Sequence, residues 1–214
     1  MTDTDGDPDA AGEPPDDPDA YRTVSGRGRA GYTVNGSEFI GHVTPASTVD
    51  AAEAFVDEIR AAFPDATHNV PSYRVNADPF REYSSDDGEP SGSAGKPILN
   101  VLQGRDIEDA VVVVTRYYGG TDLGVGGLVR AYSRAAKEAV DDAGVEWTVP
   151  HEQLVATVDY DDSGTVRGLL ESADAEFEAS YEAVVRFDAR VPAREADDLR
   201  DRLRSATSGR VELG

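Results

Sequence analysis

The strongest constraint on the fold is a strand, a glycine-rich turn and a helix that follow one another within residues 110–142. Residues 110–118 form an unbroken, β-branched apolar run, which predicts a central strand buried on both faces. Five glycines then fall within 119–127, and residues 128–142 place apolar side chains at helical spacing. The other elements are therefore assigned around a strand that lies inside its sheet.

The chain before this segment predicts a hairpin, a helix and a strand. Asn35-Gly36 is a two-residue turn signal inside a strand–turn–strand pattern over 30–43, because both turn positions need positive φ. Ser47 or Thr48 can cap a helix that runs to about Phe63. Residues 68–75 predict another strand. The polar stretch 76–95 is too long for an ordinary connection and is interpreted as mobile or functional. Pro97 suits the first turn of a short helix.

The chain after this segment predicts a second domain. Strands and helices alternate in the order β-α-β-β-α-β, over 153–160, 163–172, 175–180, 183–191, 193–206 and 210–213. This order is typical of a ferredoxin-like sandwich. We therefore expect an α+β protein in four parts: a disordered acidic tail at 1–20, a first α+β domain at 21–145, a linker at 146–152 and a ferredoxin-like domain at 153–214.

Charge and composition indicate the surroundings of the protein. The 214 residues include 42 acids and 20 bases, which gives a net charge of −22, and only two of the bases are Lys. This pattern predicts a salt-adapted cytoplasmic protein; the alternative is an acidic protein that mimics nucleic acid or binds basic partners. The lack of Cys excludes disulfides, thiolate catalysis and Cys-ligated zinc. No apolar run reaches ~18 residues and no signal peptide is evident, so we expect a soluble, intracellular protein without a membrane partner.

Two basic islands stand out against this acidic background. Residues 116–137 carry a net charge of +3, and residues 22–37 also carry +3. The first island indicates a phosphate-backbone footprint with Tyr117 or Tyr118 available for stacking. Alternatively, Arg134–Glu138 and Lys137–Asp141 are simple i,i+4 pairs.

The glycine-rich turn inside the first island is a second candidate feature. It can receive an anion at the start of the helix, or its glycines only permit a tight turn. Its spacing is neither a Walker A loop nor a G-x-G-x-x-G fingerprint, so no nucleotide cofactor is implied.

A second segment, residues 84–97, concentrates carboxylates. Asp86, Asp87 and Glu89 lie within four residues, a composition that could bind a hard cation such as Mg²⁺. The alternatives are a solvated loop or an ordered binding loop. Nearby, His68 is the only plausible acid–base candidate, although a structural role is favoured. Ser91 lacks a G-x-S-x-G context, which disfavours a serine hydrolase.

Residues 95–124 resemble the signature of the IMPACT/YigZ family, including the step Arg116-Tyr-Tyr-Gly-Gly120. The resemblance extends over about 21–140 and includes 36–40, 65–69, 73–74, 86–92 and 126–132. It implies a first domain similar to a domain of a small-subunit ribosomal protein and a second similar to a C-terminal domain of elongation factor G. Two departures are Glu38, where the family often has a basic residue, and Asn69-Val70, where it has Asn-Cys.

The resemblance also implies a role in translation. Eukaryotic relatives regulate translation by competing for an activator of a stress-responsive initiation-factor kinase, and nucleic-acid or ribosome binding has been inferred for prokaryotic relatives from fold similarity. We therefore expect a non-enzymatic regulator that binds structured RNA or the ribosome and needs no cofactor or metal. The alternatives are a protein-docking module, in which 86–92 and 116–120 form one surface, or an enzyme that holds a phosphorylated metabolite or nucleotide in the glycine-rich loop.

The candidate residues divide by expected role. Arginines would contact phosphates, tyrosines would stack and glycines would allow close backbone approach. The candidate ligand-binding residues are Arg116, Tyr117, Tyr118, Gly119, Gly120, Gly124, Gly126, Gly127, Arg130, Arg134, Asp86, Asp87, Glu89, Ser91, His68 and Arg74.

Overall fold

A computed structural model describes residues 12–77, 79–173 and 175–214. These residues form two compact units, one of 12–16 and 21–148 and the other of 17–20 and 149–214. Residues 1–11, the greater part of the predicted tail, lie outside the described residues. No helix in the described part of the chain is long and apolar enough to cross a membrane.

The described residues of the first unit form seven strands and three helices. In chain order they are β1 (Tyr21–Val24), β2 (Gly28–Val34), β3 (Ser37–Pro45), α1 (Val49–Ala62), β4 (His68–Val75), β5 (Arg81–Ser84), α2 (Gly95–Gly104), β6 (Ala110–Tyr117), α3 (Gly124–Ala143) and β7 (Val145–Thr148). Five strands form one antiparallel sheet in the order β2-β3-β6-β4-β5, and β1 pairs with β7 in a separate ribbon.

Strand β6 is the centre of the large sheet, as its sequence predicts. Val112 and Val114 pack into the core with α2 and α3, whereas Val111 and Val113 pack on the opposite face with residues of α1. Both sets are fully buried. The unbroken apolar run therefore reflects a strand with helices on both sides, although its neighbours are antiparallel.

The backbones of α3 and of the β2–β3 hairpin approach each other closely. A Cβ built at Gly41 would lie 2.2 Å from the carbonyl oxygen of Ala135, and one at Gly28 would lie 2.3 Å from that of Ala139. Only glycine leaves room for this approach. It fixes α3 against β2 and β3 and so fixes the position of its glycine-rich beginning.

Several local predictions are confirmed. Asn35 and Gly36 have φ of 48° and 82° in the hairpin turn, and Thr48 caps α1 by accepting a hydrogen bond from the Ala51 amide at 3.1 Å. The polar stretch 76–95 contains an edge strand, β5, and an ordered loop over 85–94. The pairing of β1 with β7 was not predicted from the sequence.

The second unit is the predicted ferredoxin-like sandwich. Its elements are β8 (His151–Val158), α4 (Tyr160–Ser172), β9 (Glu176–Tyr181), β10 (Val185–Pro192), α5 (Ala193–Ala206) and β11 (Glu212–Leu213), with the antiparallel strand order β11-β8-β10-β9. The connection before it is shorter than expected. Residues 145–148 form β7 because they pair with β1, so only Val149 and Pro150 separate β7 from β8.

Candidate functional site

One buried ion pair joins the end of β6 to the 85–94 loop. Nη1 of Arg116 donates to Oε1 of Glu89 at 2.5 Å, and the two side chains are only 6% and 4% exposed. The two segments that the sequence marks as candidates, 86–92 and 116–120, are therefore in direct contact. This is the arrangement that a single binding surface requires.

Glu89 also binds side chains from two further elements. The Tyr132 hydroxyl of α3 donates to the same Oε1 at 2.7 Å. Burial, and then this hydrogen bond, raises the pKa of Tyr132 far above its ordinary value. Nε2 of His68, on β4, lies 3.8 Å from Oε1. Glu89 thus links β4, β6 and α3 beneath the surface.

His68 is oriented by the loop itself. Its Nδ1 lies 2.6 Å from the carbonyl oxygen of Asp87. A carbonyl oxygen only accepts hydrogen bonds, so Nδ1 carries the proton. The ring therefore turns Nε2 towards Glu89, which gives His68 a positioning role in this network.

The Arg116 side chain is buried, although the sequence predicts that it contacts phosphates at the surface. Its guanidinium carbon is 5.3 Å from the centroid of the Phe39 ring and 5.4 Å from that of Tyr118, and Nη2 is 3.5 Å from the Ser37 hydroxyl. A charge this deeply buried needs a carboxylate partner, and Glu89 supplies it. Arg116 therefore supports the Tyr118 ring from the inside and does not present its charge to a polymer phosphate.

Asp86 and Asp87 organise the 85–94 loop. The Asp86 carboxylate accepts backbone hydrogen bonds from Gly92, Ala94 and Gly95 at 2.7, 3.1 and 2.9 Å. Burial raises the pKa of Asp86, but these three donors together hold it below its ordinary value. Asp87 Oδ2 accepts from the Asn69 amide at 2.7 Å. These contacts favour an ordered loop over a solvated one.

The described residues offer no cluster for a metal ion. No group of three or more His, Asp or Glu side chains among them is placed to hold one. The carboxylates of Asp86 and Glu89 already bind backbone amides or buried side chains.

The glycines of the β6–α3 junction, which we define as residues 118–127, divide into two groups. Gly119 packs on the β2–β3 hairpin: a Cβ there would lie 1.9 Å from the carbonyl carbon of Gly36, and its amide donates to Ser37 Oγ at 3.1 Å. Gly120 and Gly124 have φ of 82° and 67°, and no atom lies within 4 Å of a Cβ built on either. At Gly126 the nearest atom is Nη1 of Arg130, at 3.6 Å.

A second constraint acts within α3. A Cβ at Gly127 would lie 2.9 Å from the Leu123 side chain. Gly119 and Gly127 are therefore explained by packing inside the protein, whereas Gly120 and Gly124 face open space and Gly126 meets only the Arg130 side chain.

Tyrosine side chains border the junction. Tyr118 is 47% exposed; its hydroxyl donates to Asp122 at 3.1 Å and its amide to Thr67 Oγ1 at 2.9 Å. Tyr117 is half-buried and donates to Asp65 at 3.0 Å. Tyr118 is therefore the more available ring, and it is held in place. Across the junction, Ser91 is exposed on the 85–94 loop.

The basic side chains of α3 are not equivalent. Arg130 is exposed and forms no ion pair within the part of the chain described. Arg134 donates to Glu138 at 2.6 Å and lies 4.1 Å from the centroid of the Tyr32 ring, so the i,i+4 interpretation holds for it. The proposed partner of Lys137, Asp141, accepts from Arg105 instead. The first turn of α3 carries no acidic residue and no side-chain cap.

Arg74 lies away from the junction. It donates to Glu82 at 2.8 Å and to the carbonyl oxygen of Ile107 at 2.9 Å. Along β4 it pairs with Ala110, whereas His68 pairs with Arg116. Six residues of strand separate Arg74 from His68, a distance of about 20 Å. Arg74 is therefore close to His68 in the sequence but does not lie at the β6–α3 junction.

Sequence reasoning missed two supporting residues. Tyr132 belongs to the helical pattern of apolar side chains over 128–142, but a buried tyrosine hydroxyl also needs a hydrogen-bond partner. That need, together with a lone glutamate in a glycine-rich loop, was the available signal for the contact with Glu89. Ser37 follows the hairpin turn and had no signal of its own.

Comparison with known proteins gives consistent relationships along the whole chain. The family model of the Impact N-terminal domain matches residues 35–140, and that of a domain of unknown function, DUF1949, matches 157–210. The "IMPACT family member YvyE" of Bacillus subtilis is 33% identical over 91% of this chain and 90% of its own length. The "IMPACT family member YigZ" of Escherichia coli is 33% identical over 83% of this chain and 88% of its own length.

More distant and structural comparisons agree with these. "Protein IMPACT" of Rattus norvegicus is 31% identical over 41% of this chain and 29% of its own length. A crystal structure described as that of a hypothetical protein is 30% identical and superposes with a TM-score of 0.67, covering 91% of this chain and 96% of the other. Both domains are therefore shared with relatives of similar length.

Proposed function

The chain belongs to the IMPACT family, and from that membership and the geometry of the β6–α3 junction we propose that it is a non-enzymatic regulator of translation that binds structured RNA or the ribosome. Family membership supports a translation-related role in general. The proposed location is the cytoplasm. The single observation that carries the finer proposal is the combination of a fixed aromatic ring and open glycines at one exposed junction with an arginine of α3, Arg130, that forms no ion pair with a described residue.

The ring is Tyr118. It is 47% exposed, and hydrogen bonds from its hydroxyl and its amide hold it in place. Arg116 lies against it from the protein interior. Stacking of a base on such a ring is worth about 1–3 kcal/mol and does not depend on charge. Stacking therefore suits recognition in concentrated salt, which weakens phosphate contacts.

The phosphate-binding groups would lie beside the ring. Arg130 is exposed on α3 and forms no ion pair with a described residue, while Gly120 and Gly124 leave space for a backbone to approach. The first turn of α3 has no acidic residue, and the carboxylate of Asp122, just before it, accepts the hydrogen bond from the Tyr118 hydroxyl. In this arrangement Arg130 supplies the charge, and the buried pair of Arg116 and Glu89 holds the junction in shape.

One observation favours the alternative, a protein-docking module. Val125, in the first turn of α3, is 57% exposed. An exposed apolar side chain in the same junction as Tyr118 suits a protein partner as well as a nucleic acid.

The test is a binding titration of the full chain against structured RNA and against ribosomes. Tyr118→Ala and Arg130→Ala should each weaken binding about tenfold, because each removes one stacked ring or one phosphate contact. The matched controls are Tyr83→Ala and Arg81→Ala, which change exposed side chains of the same types on β5. No binding, or equal losses in the junction and control variants, would reject the proposal. Binding to a ribosomal protein that survives nuclease would favour the docking alternative.

A further inference from the structure

We propose that the second unit carries a separate docking surface for an arginine-bearing segment of a partner protein. The surface, which we call the tyrosine patch, consists of Tyr160, Tyr181 and Val184 with the carboxylates around them. The patch contains no residue of the β6–α3 junction. This proposal can therefore be tested independently of RNA binding at the junction.

The patch contains the most exposed large apolar side chains among the described residues of the second unit. Tyr160 and Tyr181 are each 51% exposed and Val184 is 39% exposed, and no other large apolar side chain among the described residues of this unit is as exposed. The two ring centroids are 6.2 Å apart. Adjacent exposed apolar groups of this kind mark interaction sites, and tyrosine is common among residues that dominate binding energy.

Hydrogen bonds hold both rings in place. The Tyr160 hydroxyl donates to the carbonyl oxygen of Glu182 at 2.8 Å, and Nη2 of Arg167 donates to the Tyr181 hydroxyl at 2.8 Å. A ring that is already fixed loses little side-chain entropy when a partner binds. The tyrosine patch is therefore preorganised for binding in the free protein.

The charges around the rings are acidic. Asp159, Asp161 and Glu182 are exposed, and none of them forms an ion pair with a described residue. Two bases lie at the patch, and each has an acidic partner of its own. Arg210 donates two hydrogen bonds to Asp162, at 2.8 and 2.7 Å, and Arg167, which contacts Tyr181, lies 3.9 Å from Glu171. The rim of the patch therefore carries more carboxylates than cations, since Asp159, Asp161 and Glu182 form no ion pair with a described residue.

A cavity continues the patch. It has a volume of about 220 Å³, and its lining includes Val184 of the patch, Asp159, Glu212 and Arg210. Since Asp162 binds Arg210, the carboxylates of Asp159 and Glu212 determine the charge of this cavity. The cavity thus offers acidic walls next to two aromatic rings.

This chemistry selects a cationic partner. Guanidinium groups bind the faces of tyrosine rings and form paired hydrogen bonds with carboxylates. The same unit contains such a contact, since the Arg167 guanidinium carbon lies 5.3 Å from the centroid of the Phe177 ring. The carboxylates repel a polyanion such as RNA. An arginine-bearing protein segment can bind the faces of the tyrosine rings and also form hydrogen bonds with the carboxylates of the rim.

The experiment is a two-dimensional NMR titration of the full chain with a short peptide of alternating Arg and Gly. Amide shifts should concentrate in residues 159–162 and 181–184. A peptide of the same length with citrulline in place of Arg should cause none. Tyr160→Ala and Tyr181→Ala should each weaken binding about two- to fivefold, which is the range expected for an exposed cation–π contact. Tyr181→Phe, which keeps the ring but loses the hydrogen bond from Arg167, should weaken binding less than Tyr181→Ala.

Charge variants separate a defined surface from general attraction to an acidic protein. Glu182→Gln should weaken binding, whereas Glu178→Gln, an exposed position on β9 outside the patch, should not. Equal effects of the two variants, equal binding of the citrulline peptide, or shifts spread over the whole acidic surface would overturn the proposal. Structured RNA that shifts 159–162 and 181–184 more strongly than the peptide would also overturn it.

Discussion

Glu89 lies directly against Arg116, although 27 positions of sequence separate them. Both side chains are almost completely buried, and Tyr132 donates a second hydrogen bond to the same carboxylate oxygen. This contact brings the 85–94 loop to the β6–α3 junction. The proposed binding surface depends on it, because Arg116 supports the exposed ring of Tyr118.

Loss of the Glu89 charge should strongly destabilise the first unit. Glu89→Gln leaves Arg116 buried without a compensating charge, which should lower the free energy of unfolding by about 3–5 kcal/mol. Urea denaturation measures this change. The matched control is Glu58→Gln, which breaks an exposed pair with Arg27 at 2.6 Å and should have little effect. Equal losses in the two variants would show that burial of the Arg116 pair does not matter.

The hydroxyls of Tyr132, on α3, and of Tyr32, on β2, should differ in their contribution to stability. Tyr132→Phe removes a hydrogen bond to a charged group and should cost about 1.5–3 kcal/mol. Tyr32→Phe removes a hydrogen bond of 2.8 Å to the carbonyl oxygen of Ala131, a neutral acceptor, and should cost about 1 kcal/mol. The midpoints of chemical denaturation compare them. A greater loss for Tyr32→Phe would contradict the assigned role of Glu89.

The glycines of the junction should respond differently to alanine. Gly119→Ala introduces a Cβ that overlaps the backbone of Gly36, so it should displace the junction and lower both the melting temperature and RNA binding. Gly126→Ala meets nothing closer than 3.6 Å and should raise stability by up to about 1 kcal/mol, because alanine favours helix. Thermal denaturation and the RNA titration report the two effects. Tolerance of Gly119→Ala would be inconsistent with the packing described.

Buried His42 should make the stability of the first unit depend on pH. Burial, and then the nearby charge of Arg29, lowers the pKa of His42 from 6.5 to about 4. The folded state therefore binds this proton less readily than the unfolded chain. Neutral His42 contributes fully to the free energy of unfolding above pH 6.5. This contribution is lost as the pH falls towards 4, and the loss is at most about 3 kcal/mol.

The variant that tests this prediction is His42→Phe. The His42 ring lies 5.0 Å from that of Phe63, and Nε2 of His42 has no hydrogen-bond partner among the described residues, so an apolar ring suits the position. Denaturation curves between pH 4 and 7 should show a shallower loss for the variant than for the unaltered chain. An unchanged slope would assign the pH dependence to other groups.

The features that the sequence predicted correctly depend on local patterns. The apolar run of β6, the Asn35-Gly36 turn and the Thr48 cap each follow from adjacent residues. The order of elements in the second unit follows in the same way. Glycine content also indicated the junction, but the sequence could not separate Gly119, which packs on Gly36, from Gly120, which faces open space.

The features that were missed depend on contacts between distant parts of the chain. Strand β1 is recognisable only through its pairing with β7, more than 100 residues later. The burial of Arg116 depends on Glu89 and Tyr132, which come from a loop and a helix. Arg74 and His68 lie on one strand, yet only the register of β4 against β6 shows that they lie at opposite ends.

The most direct test of the proposed function is cross-linking of the full chain to RNA or ribosomes, followed by identification of the cross-linked peptide. Photoreactive uridine in the RNA should attach to residues 118–130, and Tyr118→Ala should reduce the yield about tenfold. The same attachment site should appear with purified ribosomes. Cross-links confined to β5 or to the second unit, or a yield unchanged by Tyr118→Ala, would contradict the assignment of the β6–α3 junction as the binding surface.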